Sequence, residues 1–166
     1  LAVVGDLSAH VVQQGAQEAA SALSRLLRRP IGVEGFGVID VGDIARSHGR
    51  IGVVLAFETT GGFPGHLAFV IDEDVAASVV ASLTGADHTE LNTAALMALA
   101  EVGNIAASAF LNGASRVTGM TCMPSVPRTT HAPVDKAVKG ALPPRPAHIA
   151  TLRVDGSDVI TVAFVA

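Results

Sequence analysis

The chain has 166 residues, 49% of them hydrophobic and 16% charged, with a net charge of −4. That is enough apolar matter for one sizeable core, and it predicts one domain over residues 1–166. There is no basic stripe, aromatics are 4%, and neither Trp nor Tyr occurs, so binding to nucleic acid or to a membrane surface is disfavoured.

No run of eighteen apolar residues occurs, so the sequence predicts no transmembrane helix. The opening LAVVGDLSAH lacks the basic region and long apolar stretch of a signal peptide. Leu1 stands where an initiator Met would, so the chain reads as a fragment or a processed form. The single cysteine, Cys122, leaves no internal disulfide and fits a cytoplasmic location.

Asp6 to Arg29 reads as a first helix, capped by Asp6 or Ser8 and stopped by Pro30. Val11, Gly15, Ala19, Ala22 and Leu26 follow the helical period. Ile31 to Ile44 reads as a long strand bent at Gly35 or Gly37. Arg46 to Arg50 is a polar turn, and Ile51–Phe57 and His66–Ile71 are strands joined by the loop Thr59–Gly65. Residues 72–84 form a short helix with Asp72, Glu73 and Asp74 at its positive end, and Gly85 ends it.

A long helix follows from Leu91, with Asp87 and Glu90 as a capping box and Gly119 as its stop. Leu91, Ala95, Ala98, Val102, Ile105 and Ala109 give its apolar stripe. Met120–Thr130, Val134–Ala141 and His148–Val154 read as strands, and Asp155-Gly156 is a hairpin turn leading into Val159–Val165. Helix and strands therefore occur twice, in halves of about 6–71 and 91–166 joined by the short helix. The expected fold is α+β: a pseudo-two-fold repeat with an antiparallel sheet of about six strands and helices packed on a face.

Between Thr93 and Ser108 the long helix carries only two polar side chains, Glu101 and Asn104. Three residues apart, they face the same way, at an exposed edge of a packed helix. Gly103 between them lets another backbone approach closely. Asn104 and Pro127 are separated by 22 residues.

Glu101-Val102-Gly103-Asn104-Ile105 followed by Pro124-Ser125-Val126-Pro127 resembles the CheC/CheX/FliY family of chemotaxis phosphatases. That family's signature is a carboxylate or serine, then Glu, Asn and Pro at these spacings. The resemblance implies a phosphatase acting on the aspartyl phosphate of a CheY-like receiver domain. Asn104 would orient the attacking water, Glu101 would contact the receiver, and Pro127 would shape the adjoining strand. The chain would bring no cofactor of its own, and the receiver would supply Mg²⁺. Position 97, four residues before Glu101, is Met97 rather than the acid or serine of the pattern.

Sliding the second half back by 91 residues puts Glu101 on His10, Asn104 on Gln13 and Pro127 on Phe36. Asp6 keeps the leading acid, yet the first half reads as a degenerate second site. The competing reading is a non-catalytic adaptor or flagellar-switch-like module that binds a receiver or a CheD-like deamidase. A homodimer is compatible with both. The six histidines are scattered without metal-ligand spacing, and neither a phosphate-binding glycine loop nor a nucleophile elbow occurs.

Overall fold

The strand sequences alternate large and small apolar residues, and the sheet sorts them onto two faces. Val53, Leu55, Phe57, Leu67, Phe69, Ile71, Ile160, Val162 and Phe164 enter one core. Val54, Ala56, Ala68, Val70, Ala163 and Val165 enter the other. This period of two requires cover on both faces of the sheet. The computed structural model describes residues 2–86 and 90–166, with side chains from residue 7 onward in the first helix.

The elements are α1 (Ala2–Leu27), β1 (Ile31–Asp40), a 3₁₀ segment (Val41–Ser47), β2 (Ile51–Gly61), β3 (Gly65–Asp72), α2 (Glu73–Thr84), α3 (Thr93–Thr118), β4 (Cys122–Pro124), β5 (Arg128–Pro133), α4 (Val134–Ala141), β6 (Pro146–Val154) and β7 (Asp158–Val165). One antiparallel sheet has the order β1-β6-β7-β3-β2-β4, with β5 also paired to β2. The central strands β3 and β7 are paired antiparallel, His66 with Val165 through Ile71 with Ile160. The helices α1 and α3 correspond at the expected offset of 91 residues. Each half lends a strand to the other: β1 pairs with β6, and β5 pairs with β2.

Several sequence expectations are corrected. Met120–Thr130 is two strands rather than one, broken between Pro124 and Pro127, neither of which has an N–H to donate; with Val134–Ala141 removed from the strands, the sheet has seven. Val134–Ala141 is helix α4, not a strand. Its buried residues Val134, Ala137, Val138 and Ala141 follow the helical period that the strand reading overlooked. The first long strand ends at Asp40, and Val41–Ser47 turns into the 3₁₀ segment so that Val41 and Ile44 reach the second core. Helices therefore cover both faces: α1, α2 and α3 on one, α4 and the 3₁₀ segment on the other. The bend in β1 is a register shift between Val33 and Gly35.

The first helix starts at Ala2, so Ser8 lies inside it, buried, rather than capping it. The second long helix starts later than expected. Asn92 is its cap, its side-chain oxygen accepting from the Ala95 N–H at 2.9 Å. Asp87 and His88 lie outside the described residues. Gly119 ends the helix with φ 71°, as its position suggested, and Gly85 ends α2 with φ 74°. Asp155 and Gly156 have φ 53° and 77°, the pair of positive values that the tight hairpin needs.

By length and composition α3 is apolar enough to cross a membrane. Here it is a core helix. It buries Ala95, Leu99, Val102, Gly103, Ala106, Ala107, Phe110, Leu111 and Ala114 against α1 and the sheet. This face is rotated from the expected stripe: Leu91 precedes the helix, and Ile105 is exposed to 42%. The uninterrupted apolar run Ala94–Ala100 is compatible with several stripes, and contact with α1 selected one.

Candidate functional site

The site is built on α3 where it crosses β2. Gly103 is buried against the sheet: a Cβ there would stand 3.0 Å from Leu55 Cδ1 and 3.3 Å from the Phe57 ring. The missing side chain lets the helix sit low. Glu101, two residues before it, and Asn104, directly after it, then stand at the rim, Glu101 exposed and Asn104 half-buried. Among the described residues, neither side chain has a hydrogen-bond or ion-pair partner. Arg116, the other charged residue of α3, is bonded to Glu18 of α1.

Pro127 reaches the same place from the sheet. β2 pairs Thr59 with Pro124 and Ala56 with Arg128. Three residues, Ser125–Pro127, thus oppose two, Phe57 and Glu58. This is a bulge, and it is pinned on both sides of Glu58. The Ser125 N–H donates to the Glu58 carbonyl at 2.8 Å, and the Glu58 N–H donates to Ser125 Oγ at 2.9 Å. A proline with no N–H fits where the ladder is interrupted. The two arms of the motif converge on Phe57: Gly103 lies over its ring, and the bulge lies beside its backbone. Sequence reasoning missed Phe57 and Ser125. The only signal was the close pair of prolines around Ser125.

The other half is different. His10 and Gln13 are exposed on α1, and Phe36 on β1 is 44% exposed. Gln13 and Phe36 share a shallow cavity of about 230 Å³ with Ala9, Val12, Gly37, Val38, His148 and Ile149. Val12 stands where Gly103 stands in the second half, so a full side chain replaces the close seat. His148 titrates below its ordinary value of 6.5 because burial disfavours the imidazolium.

A second polar constellation lies on the other face. His48, which the sequence places in a solvated turn, has a fully enclosed side chain. Its Nδ1 is 3.0 Å from Asp72 Oδ1 and its Nε2 is 2.7 Å from Thr161 Oγ1. Thr161 sits mid-strand, paired with Val70 and Thr151. Its amides are committed to the ladder, so the group is a buried latch holding the 3₁₀ segment to the sheet. His131 bonds Glu73 on the surface. Among the described residues no three His, Cys, Asp or Glu side chains converge as a metal site.

Fold and site together define a class: pseudo-symmetric α+β chains with a glutamate–asparagine ridge on one long helix. No family model and no curated protein matches the sequence. Solved structures match it closely in shape. FliY from Thermotoga maritima has TM-score 0.75 at 19% identity, covering 97% of this chain and 88% of that one. The FliM middle domain from H. pylori has TM-score 0.73 at 14% identity, covering 96% and 91%. A chain of the CheX–CheY–BeF₃–Mg²⁺ complex from Borrelia burgdorferi has TM-score 0.69 at 18% identity, covering 92% and 95%. The protein has the CheC/CheX/FliY fold that its motif resembles.

Proposed function

We propose that the protein is a CheC/CheX-like phosphatase that hydrolyses the aspartyl phosphate of a CheY-like receiver in the cytoplasm. The observation that carries this reading is the convergence on Phe57, which sets a carboxylate and an amide, both without partners among the described residues, on one ridge beside a pinned proline bulge. An acyl phosphate is already a good phosphoryl donor. Its hydrolysis needs a water in line and charge neutralised on the transferring group. Mg²⁺ and a lysine of the receiver supply the second requirement.

Asn104 supplies the first. Its amide carries an acceptor and two donors and stays neutral at every working pH. It accepts a hydrogen bond from the water and aims the oxygen at phosphorus. The water oxygen bonds to phosphorus as the P–O bond to the aspartyl group breaks, the aspartate leaves as a carboxylate, and the water's proton goes with the inorganic phosphate that is released. Glu101 bonds the receiver's lysine through a charge-assisted contact and fixes the ridge in the cleft. Half-burial of Asn104 limits its rotamers, which favours positioning.

A second reading, a non-catalytic adaptor that binds a receiver or a CheD-like deamidase, draws support from the exposed Met97 and from the shape shared with the FliM middle domain. The two are separated by mixing the chain with a phosphorylated receiver and Mg²⁺ and following phosphate release beside Asn104→Ala. Accelerated release that the variant abolishes supports the phosphatase. Phosphorylation-dependent binding without release supports the adaptor.

A further inference from the structure

The helix that presents Glu101 presents two large apolar residues with it. Met97 lies one turn before Glu101 and is 66% exposed, and Ile105 lies one turn after it and is 42% exposed. At spacings of four the three side chains line one stripe of α3. Val126, in the bulge opposite Phe57 and Glu58, is 86% exposed. Scattered exposed apolar residues need no explanation. Here they flank the only acid of α3, and that acid has no partner among the described residues.

We infer that Met97 and Ile105 form an apolar bracket around Glu101 that selects a receiver presenting a cation inside an apolar rim. The inference rests on the proposed receiver-binding role and specifies its partner. A surface that covers Met97 and Ile105 must also take Glu101 out of water. Burying a carboxylate without a counter-charge is strongly unfavourable, so the surface must bring a lysine or arginine to that point. Once covered, the apolar pair keeps water from the ion pair and strengthens it. Met97 and Ile105 are about 12 Å apart along the helix, which sets the width of the complementary rim. A receiver with acidic or strongly polar groups at the rim is rejected, because its groups are stripped of water with nothing to meet them. Met97 is then a specificity residue, and the acid or serine that the resemblance leads one to expect there is not missing machinery.

The test measures binding of receivers held in the phosphorylated form by beryllofluoride, alongside turnover of the phosphorylated receivers. The chains are the wild type, Met97→Ser, Met97→Leu and Ile105→Ser. Both positions are exposed, and circular dichroism checks that each variant folds. The expected result is that Met97→Ser and Ile105→Ser each weaken binding roughly fivefold or more and raise KM with kcat held, while Met97→Leu keeps both. Wild-type binding with Met97→Ser overturns the bracket, as does a rise in kcat for Met97→Ser. So does a change confined to self-association of the chain. Weakened binding by Met97→Ser in a protein with no turnover sustains the bracket and removes the phosphatase. Asn104-dependent turnover with unchanged KM in Met97→Ser does the reverse. Failure of the wild type to bind any activated receiver overturns both.

Discussion

Gly113 of α3 meets Gly15 of α1 so closely that a Cβ on Gly113 would stand 2.9 Å from the Cα of Gly15 and 2.8 Å from the carbonyl oxygen of Gln14. Both obstacles are backbone, so no rotamer change relieves them, and the helices must part. Alanine is normally favoured over glycine in a helix by about 1 kcal/mol. At this crossing the order reverses: Gly113→Ala is expected to destabilise the fold by about 1–3 kcal/mol. Gly140 of α4 has nothing within 4 Å of its would-be Cβ, and Gly140→Ala should stabilise by roughly 0.5–1 kcal/mol. Urea unfolding of the two variants reads both signs. Equal effects would mean that the helices do not pack through Gly113.

The two half-sites predict opposite responses to the same kind of change. Asn104→Ala should lower turnover on a phosphorylated receiver by about 10²-fold. It should leave the melting temperature within about 1 °C, because no internal hydrogen bond is lost. Gln13→Ala should leave turnover unchanged. Gln13 shares a cavity with Phe36 in a half that has Val12, not glycine, at the seat of the helix. Comparable losses in both variants would show that the first half takes part in the reaction.

Much of this arrangement was legible in the sequence because it rests on local rules. Gly85 and Gly119 announce left-handed helix ends, Asp155-Gly156 announces a hairpin, and the repeat sets the offset of α1 and α3. What could not be read depends on contacts between distant segments. Val134–Ala141 is too short for its period to outweigh β-branched Val134 and Val138, and its helical form follows from the second apolar face of the sheet. His48 sits among polar neighbours in the sequence and is enclosed only because the 3₁₀ segment folds onto β7. At the candidate site, spacing placed Glu101 and Asn104 on one ridge. That Pro127 joins them at Phe57 depends on the β2–β5 register, which no local pattern encodes.

His148 gives a pH dependence with a definite sign. Burial disfavours its charged form, so the folded chain binds this proton more weakly than the unfolded chain. Its contribution to stability is complete above the ordinary value of 6.5. It declines as the pH falls below that value and levels off once the folded-state value is passed. His148→Phe removes the titrating group and should flatten this part of the stability curve between neutral and mildly acidic pH. Urea midpoints at several pH values report it. An unchanged slope would place the titration on another group.

His48 offers a test that separates the latch from the candidate site. His48→Leu keeps most of the volume but leaves the Thr161 hydroxyl, 4% exposed, without its 2.7 Å partner. Asp72 retains the Gly49 N–H at 2.9 Å. An orphaned buried hydroxyl costs about 1–3 kcal/mol, so the single variant should be less stable by roughly that amount. Adding Thr161→Val removes the orphan, and the double variant should recover part of the loss, a coupling that a double-mutant cycle measures. Glu101 and Asn104 project from α3, on the face opposite the one that Thr161 shares with the 3₁₀ segment. Receiver dephosphorylation by the folded double variant should therefore match the wild type. A latch variant with normal stability but lost turnover would instead make His48 part of the reaction, and would move the site to the other face of the sheet.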